Sequence, residues 1–315
     1  MKFFNKSILK EYGFALAQRQ SNPLWRETFN IIIEDFCLIL YSMYSHENLP
    51  DEMDGDFLER CLMEDGIAGA FDHPLYGLIN SRATWGELGI YNRPIESTFY
   101  SIKFSKQVYV GIDSDNAVLF YNNSLGIGYV RWAISYAERL ADILISHSIN
   151  LMAQRTPILI DGDYNQLEDI VAQYAKYIGG APVIARTRSM RNTLAQVSAT
   201  PLTVLKTDAP FTADKIYFEY TNVLHEFFSK IGINFANNNK KERMLVDEVN
   251  ANNEQLNFKV KAGLAFRNKG WKQFNKIHGT NIVTVYNGEV EELVSDVIEK
   301  HTDAIIQHSN VELPS

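Results

Sequence analysis

The chain is poor in cysteine, short of long apolar runs and without an excess of positive charge, and each shortage closes off a class of protein. Only Cys37 and Cys61 occur in 315 residues. Two thiols at that spacing fit no zinc motif and build no disulfide scaffold, so a reducing compartment is the default expectation. Cys37 sits in an apolar helical run, where a buried, inert thiol is expected. The densest apolar stretch, Ile31 to Tyr41, is interrupted by Glu34 and Asp35 and is too short to span a bilayer. Met1 to Glu11 contains lysines and a few apolar residues but no adequate apolar region for secretion. No transmembrane helix, secretion signal or membrane partner is expected.

The usual signatures of catalysis are missing as well. There is no G-x-x-x-x-G-K-[ST] loop, no H-E-x-x-H and no G-x-S-x-G; Gly126 and Gly128 precede a helix without the rest of a dinucleotide pattern. Asp51, Glu52, Asp54 and Asp56 are acidic enough to suggest calcium. The twelfth position counted from Asp51 is Leu62, where a calcium loop needs glutamate, so they read as a solvated helix start. Asp161 and Asp163 flank Gly162 behind a strand, where carboxylates can hold Mg²⁺; an acidic turn is the simpler reading. The seven histidines are scattered, and His225 beside Leu224 reads as a polar-face or interface residue. Trp85, Trp132 and Trp271 fall in separate segments and form no stacking platform. No catalytic residue, metal or cofactor is expected.

What is present is a globular composition, 46% hydrophobic and 22% charged. A helix is predicted from about Leu24 to Ser45, apolar around much of its circumference and broken at Leu49-Pro50. A short helix follows from Phe57 to Met63, ended by Gly66. Between residues 66 and 127 glycines and prolines punctuate short apolar stretches. Phe99 to Val110 and Ala117 to Tyr121 read as strands of a small β-rich unit. A long helix is predicted from Tyr129 to Met152, its stripe made by Tyr129, Ala133, Tyr136, Ala137, Leu140 and Leu144.

Residues 155–207 read as a compact insertion. Strands are predicted at Pro157 to Ile160, Pro182 to Ala185 and Leu202 to Leu205, with a helix from Asn165 to Tyr177. The strongest periodicity follows, in a helix from Ala209 to Lys230 with Asp208 as cap and Pro210 in its first turn. Ile216, Tyr220, Val223, Leu224, Phe227, Phe228 and Ile231 make its stripe, and Gly232 ends it. Two further helices are predicted, Glu242 to Asn252 and Glu254 to Ile277, then a strand from Asn281 to Tyr286 and a short helical tail. The fold class expected is α+β.

Net charge is −8, from 30 basic and 38 acidic residues. Nucleic-acid binders that hold their ligand are usually basic, because phosphate contacts supply the affinity. Either this chain meets no nucleic acid, or it meets nucleic acid that it must not grip. Lys206 and Lys215, at the start of the periodic helix, and Lys240, Lys241 and Arg243, after an asparagine-rich loop, are ordinary surface charges in a monomer. Repeated around a ring, each becomes a circle of positive charge on an acidic wall.

A series of short matches then appears in order: Glu47-Asn48-Leu49-Pro50, Tyr121-Asn122-Asn123, Thr156-Pro157-Ile158-Leu159-Ile160, Asn165-Gln166-Leu167 and Ala181-Pro182-Val183-Ile184. They continue with Lys206-Thr207-Asp208-Ala209-Pro210, Asp214-Lys215, Lys240-Lys241-Glu242-Arg243-Met244, Asp247-Glu248-Val249 and Asn253-Glu254-Gln255. Through these the sequence resembles the portal, or upper collar, proteins of small podophages, the phi29 connector-like family of head–tail connectors.

The resemblance implies a portal fold with long stem helices, a small α/β clip and a mixed wing containing a small β-barrel-like unit. Residues 1–127 would be wing, 128–154 the first stem helix, 155–207 the clip and 208–233 the second stem helix. Residues 234–246 would be a channel loop, 247–290 the rest of the wing and 291–315 a tail. It further implies a homo-oligomeric ring, a dodecamer, at the capsid vertex of the virion, assembled in the host cytoplasm. Double-stranded DNA would pass through it non-specifically during packaging and ejection. Its partners would be the major capsid protein, lower collar and tail proteins and, transiently, a separate packaging ATPase. Lys206, Lys215, Lys240, Lys241 and Arg243 would touch passing phosphates, while Ile216, Tyr220, Val223, Phe227 and Ile231 would pack the stem between subunits. Two alternatives stand beside this reading. One is an adaptor or scaffold ring without lumen-facing lysines; the other is a Mg²⁺-dependent nuclease using Asp161 and Asp163.

Overall fold

A computed structural model of the chain describes residues 23–111, 113–154, 158–162, 183–187, 202–204, 212–233 and 246–309, with side chains described over 23–111, 113–151, 212, 215–233 and 258–300. The chain divides into two compact units. One comprises Met1–Ala141 and Asn222–Asp303, the other Asp142–Thr221 and Ala304–Ser315. The larger part of the second, Asp142–Thr221, is therefore inserted into the first, and the first must be closed by contacts between distant stretches of sequence.

In the first unit, α1 (Pro23–Ser42) buries Phe29, Ile32, Ile33, Phe36, Ile39 and Leu40. It stops three residues short of the predicted end, because Tyr44–Glu47 forms a strand, β1, paired antiparallel with Val283–Tyr286. A long-range pairing here overrides local helical preference. α2 (Gly55–Asp65) starts on Asp54, whose Oδ1 accepts from Phe57 N at 3.0 Å, and ends on Gly66 at φ 84. The acidic cluster is thus a helix start, and Asn80 fixes it further by accepting from Asp54 N and donating to Asp54 O.

Five antiparallel strands follow: β2 (Ile67–His73), β3 (Gly77–Ala83), β4 (Glu96–Tyr100), β5 (Ser105–Tyr109) and β6 (Ala117–Tyr121), in the order β5-β4-β3-β2-β6. The single strand predicted over Phe99 to Val110 is a hairpin, turned where Ser101 N donates to Phe104 O at 2.8 Å. Both faces of this sheet are covered. Ala68, Ala70, Val118 and Phe120 point toward α2 and the helix that carries Trp271 and Phe274; Ile67, Phe71, Ala117 and Leu119 point into a second core with Phe99 and Val108. Gly69 lies within β2, where a side chain would collide with the Phe99 ring. It is a packing glycine, not the turn residue that its sequence neighbourhood suggested.

After the sheet come α3 (Val130–Gln154) and, beyond the inserted unit's strands β7 (Ile158–Gly162), β8 (Val183–Thr187) and β9 (Leu202–Val204), α4 (Ala213–Ile231). The inserted sheet runs β8-β7-β9, with β7 parallel to β8 and antiparallel to β9. The parallel pairing fits the expected strand–crossover–strand unit; the predicted helix Asn165 to Tyr177 lies outside the described residues. Within this unit Asn150 Oδ1 accepts from Thr212 N at 3.2 Å.

The first unit resumes in α4, which ends at Gly232 with φ 94. Two helices were predicted beyond residue 241, but α5 is one helix of 33 residues, Val246–His278. Gly263 and Gly270, which weaken the helical pattern, lie where a Cβ would strike the Tyr44 hydroxyl and the Phe120 ring respectively. Both are close-approach positions in a continuous helix. β10 (Val283–Tyr286) and α6 (Val290–Ser309) complete the order, α6 being longer than the short tail helix expected.

At the centre of this unit lies a buried ionic network. Arg267 Nε and Nη2 donate to the two oxygens of Glu59 at 2.8 and 2.7 Å, and the pair is 0% and 1% exposed. Arg267 also donates to Asn122 Oδ1 at 3.0 Å and Gly263 O at 3.2 Å, and its guanidinium lies 3.9 Å from the centre of the Tyr44 ring. His46 Nε2 lies 3.0 Å from Glu59 Oε1, oblique to the hydrogen-bond line. The Trp271 indole N–H is shared between His46 Nδ1 at 3.1 Å and Thr284 Oγ1 at 2.9 Å, and that hydroxyl lies 2.9 Å from His46 Nδ1. Burial pushes the Glu59 carboxyl up, but the Arg267 charge and the bonds from His46 and Arg267 outweigh it and hold the group below its ordinary value of 4.5. A second cluster joins Glu64 to Tyr41, Arg60 and Arg82, with Arg82 also on Asp65.

Arg267→Met leaves Glu59 buried and unpaired, and is expected to lower unfolding free energy by about 3–5 kcal/mol in urea titration; a loss under about 1 kcal/mol would contradict the assignment. Since the Glu59 value is depressed in the folded state, its contribution is present above the ordinary 4.5 and lost as pH falls through the lower folded value. Wild-type stability is therefore expected to fall below about pH 4.5 more steeply than that of Glu59→Gln.

Candidate functional site

The long helices α3 and α4 carry the residues singled out in the sequence. In the first unit they pack antiparallel. Lys230 Nζ sits 4.8 Å from the centre of the Trp132 ring, Tyr136 and Phe227 have ring centroids 5.6 Å apart, and Arg139 Nη1 donates to Glu226 Oε2 at 3.0 Å. Residue numbers fall on one helix as they rise on the other, rung by rung. The fully buried Phe227 also stacks on Phe36 of α1, with centroids 4.0 Å apart. Trp132 thus serves as a platform for Lys230, a role its isolated place in the sequence does not reveal.

Of the predicted stem residues, Tyr220 is 1% exposed, Val223 1%, Phe227 0% and Ile231 2%, while Ile216 is half-buried. The stripe was expected to pack between subunits; its larger part is buried within one chain. A periodic apolar face shows that a helix packs, not against which chain. The exposed positions of α4 are Lys215, Phe218, Glu219, Glu226 and Lys230, a face of mixed charge.

Lys215 is exposed on the first turn of α4. Lys206, Lys240, Lys241 and Arg243 lie outside the described residues, so the structure does not bring the five basic positions together or separate them. Missed in the sequence are two further amines of this region: Lys230, and Lys259, which donates to Ser229 O at 2.6 Å. Burial, and then the Lys230 charge, lowers the pKa of Lys259 below the ordinary lysine value of 10.5.

Asp161 is the penultimate residue of β7, in register with Arg186, and Asp163 lies outside the described residues. Among the described residues no group of three or more His, Cys, Asp or Glu is placed to hold a metal. Cys37 and Cys61 are both free and buried, and burial pushes each thiol up to about 12. No helix of the described residues is long and apolar enough to cross a membrane.

The family model for the phage connector (GP10) matches residues 14–291 of the chain. The chain belongs to the phage connector family. A connector sits at the portal vertex of the virion, where head meets tail, and is an oligomer in contact with both. Among solved structures, the connector chain is similar to one from the portal and tail of native bacteriophage P68, at 15% identity, covering 94% of this chain and 97% of that one, with a TM-score of 0.45. It is similar to an HK97 family phage portal protein from Corynebacterium diphtheriae at 9% identity, covering 90% and 96%, with a TM-score of 0.41. A chain from the neck of an empty gene transfer agent particle is 10% identical over 98% and 90%, with a TM-score of 0.38.

On this connector, Phe227→Ala removes a side chain packed by both α1 and α3, and is expected to cost about 3–5 kcal/mol of stability. Lys215→Ala on the exposed face is expected to stay within about 0.5 kcal/mol. Calorimetric melting of both variants separates a packing residue from one held for function; equal losses would contradict the assignment.

Proposed function

We propose that copies of this chain close into a ring, expected to be dodecameric, whose channel passes double-stranded DNA into the capsid during packaging and out during ejection. The ring is that of a podophage portal. Stem helices at 128–154 and 208–233 line the channel, and the channel loop at 234–246 opens into it. The clip at 155–207 meets the lower collar and tail proteins and, while the head fills, the packaging ATPase. Residues 1–127 and 247–290 form the wing on the capsid side, and 291–315 the tail. The chain hydrolyses nothing; the motor does.

The observation that carries this reading is the family match over residues 14–291. The charge pattern supports it. A channel must let DNA slide, and tight phosphate contact would stall it. A chain of net charge −8 repels the duplex over most of a wall, while an exposed lysine such as Lys215 gives each copy a loose phosphate contact. Lys206, Lys240, Lys241 and Arg243 are assigned the same duty. Such contacts carry no base readout, so passage is independent of sequence and sensitive to salt.

The variant Lys206→Ala with Lys215→Ala is expected to form rings that micrographs cannot tell from wild type, and to yield particles with less nuclease-protected DNA. Loss of rings, or full retention of DNA, would defeat this division of labour.

A further inference from the structure

Two exposed helix faces of the first unit match each other in spacing and oppose each other in charge. On α1, Leu24, Ile31 and Leu38 are 53%, 45% and 51% exposed. Glu27 and Glu34 are exposed between them. At 3.6 residues per turn these five positions fall within an arc of about 80°. The face therefore alternates apolar and acidic residues at heptad spacing, on the side of α1 turned away from its core. On α5, Phe258 is 72% exposed, and Lys261, Ala265, Lys269, Lys272 and Lys276 are exposed along the same side. They too fall within about 80°. Leu24 to Ile31 and Phe258 to Ala265 are each seven residues, as are Glu27 to Glu34 and Lys269 to Lys276.

We propose that the acidic face of α1 in one copy docks on the basic face of α5 in the next copy around the ring. The inference rests on the ring reading above and deepens it by naming an interface outside the stem. A ring closed by rotation needs a heterologous contact, in which two different patches of one chain are complementary. The stem stripe does not meet that need, since its larger part is consumed inside the subunit. The α1 and α5 faces do: carboxylates meet amines, and the apolar positions between them are covered. DNA is a weaker candidate for the α5 face. A duplex would leave Phe258 exposed and would not explain a matching acidic, apolar stripe on the same unit.

The test is a charge swap in the full chain. Glu27→Lys with Glu34→Lys, and separately Lys269→Glu with Lys272→Glu, are expected to reduce ring yield by about tenfold or more at fixed protein concentration. Combining all four is expected to restore it. Circular dichroism should show each variant with wild-type helix content, the substitutions being on exposed positions. Independently, Ile31→Cys with Ala265→Cys should cross-link copies into ladders on oxidation, while either cysteine alone should not. Single-face variants that assemble like wild type, or a double-cysteine chain without ladders, would overturn the interface. So would α5 variants that form normal rings but lose DNA, or α1 variants that form normal rings but fail to enter capsids. A wild-type chain that forms no rings would instead fail the ring reading itself.

Discussion

The first unit is assembled from two stretches of chain with the second unit inserted between them, and the Arg267–Glu59 pair is where the two stretches are locked. Its partners are 208 residues apart in sequence. Removing both charges from water is expensive, and the interior returns that cost only if every donor and lone pair finds a partner. Most of them do: Glu59 takes two bonds from Arg267, and the remaining guanidinium protons reach Asn122 and Gly263, while His46 Nε2 lies alongside without a well-aligned hydrogen bond. Each partner stands on a different element. Glu59 fixes α2, Asn122 the end of β6, His46 the strand β1, and Gly263 the middle of α5. A hydrophobic contact could slide by a turn; this network admits one register. The β1–β10 pairing and the seating of Trp271 against Phe120 join the same two stretches beside it.

That lock bears on assembly because it makes the unit's surface a fixed template. α1 packs inward on Phe36 and leaves its heptad face outside; α5 packs inward on Trp271 and Phe274 and leaves its lysines outside. In the stem, Phe227 and its neighbours serve the subunit's own stability. The proposed interface between copies therefore draws on surfaces of mixed polarity, which are commoner between subunits that also exist apart than a continuous apolar seam.

Much of the scaffold was legible in the sequence. The periodicity of α4, the helix ends at Gly66 and Gly232 and the strands of the inserted unit all come from local rules, and local rules survive folding. What was not legible was set at a distance. β1 exists because β10 is beside it. Gly69, Gly263 and Gly270 looked like breakers because nothing local announces a phenyl ring or hydroxyl pressing on a backbone. Glu59 and Arg267 look like surface charges until the chain closes. The apolar stripe of α4 was legible as a buried face, but periodicity does not say which chain buries it. The basic positions proposed to meet DNA came from charge and from the family resemblance together; Lys215 is exposed, and the other four lie outside the described residues.

The central claim is that identical copies surround a hole. Electron cryomicroscopy of the purified protein, with subunits counted and the inner wall traced, tests it directly. The account predicts a closed ring with the α3–α4 helices at the lumen and Lys215 facing it. A protein that stays monomeric at high concentration, or a ring whose Lys215 side chains point outward, would contradict it.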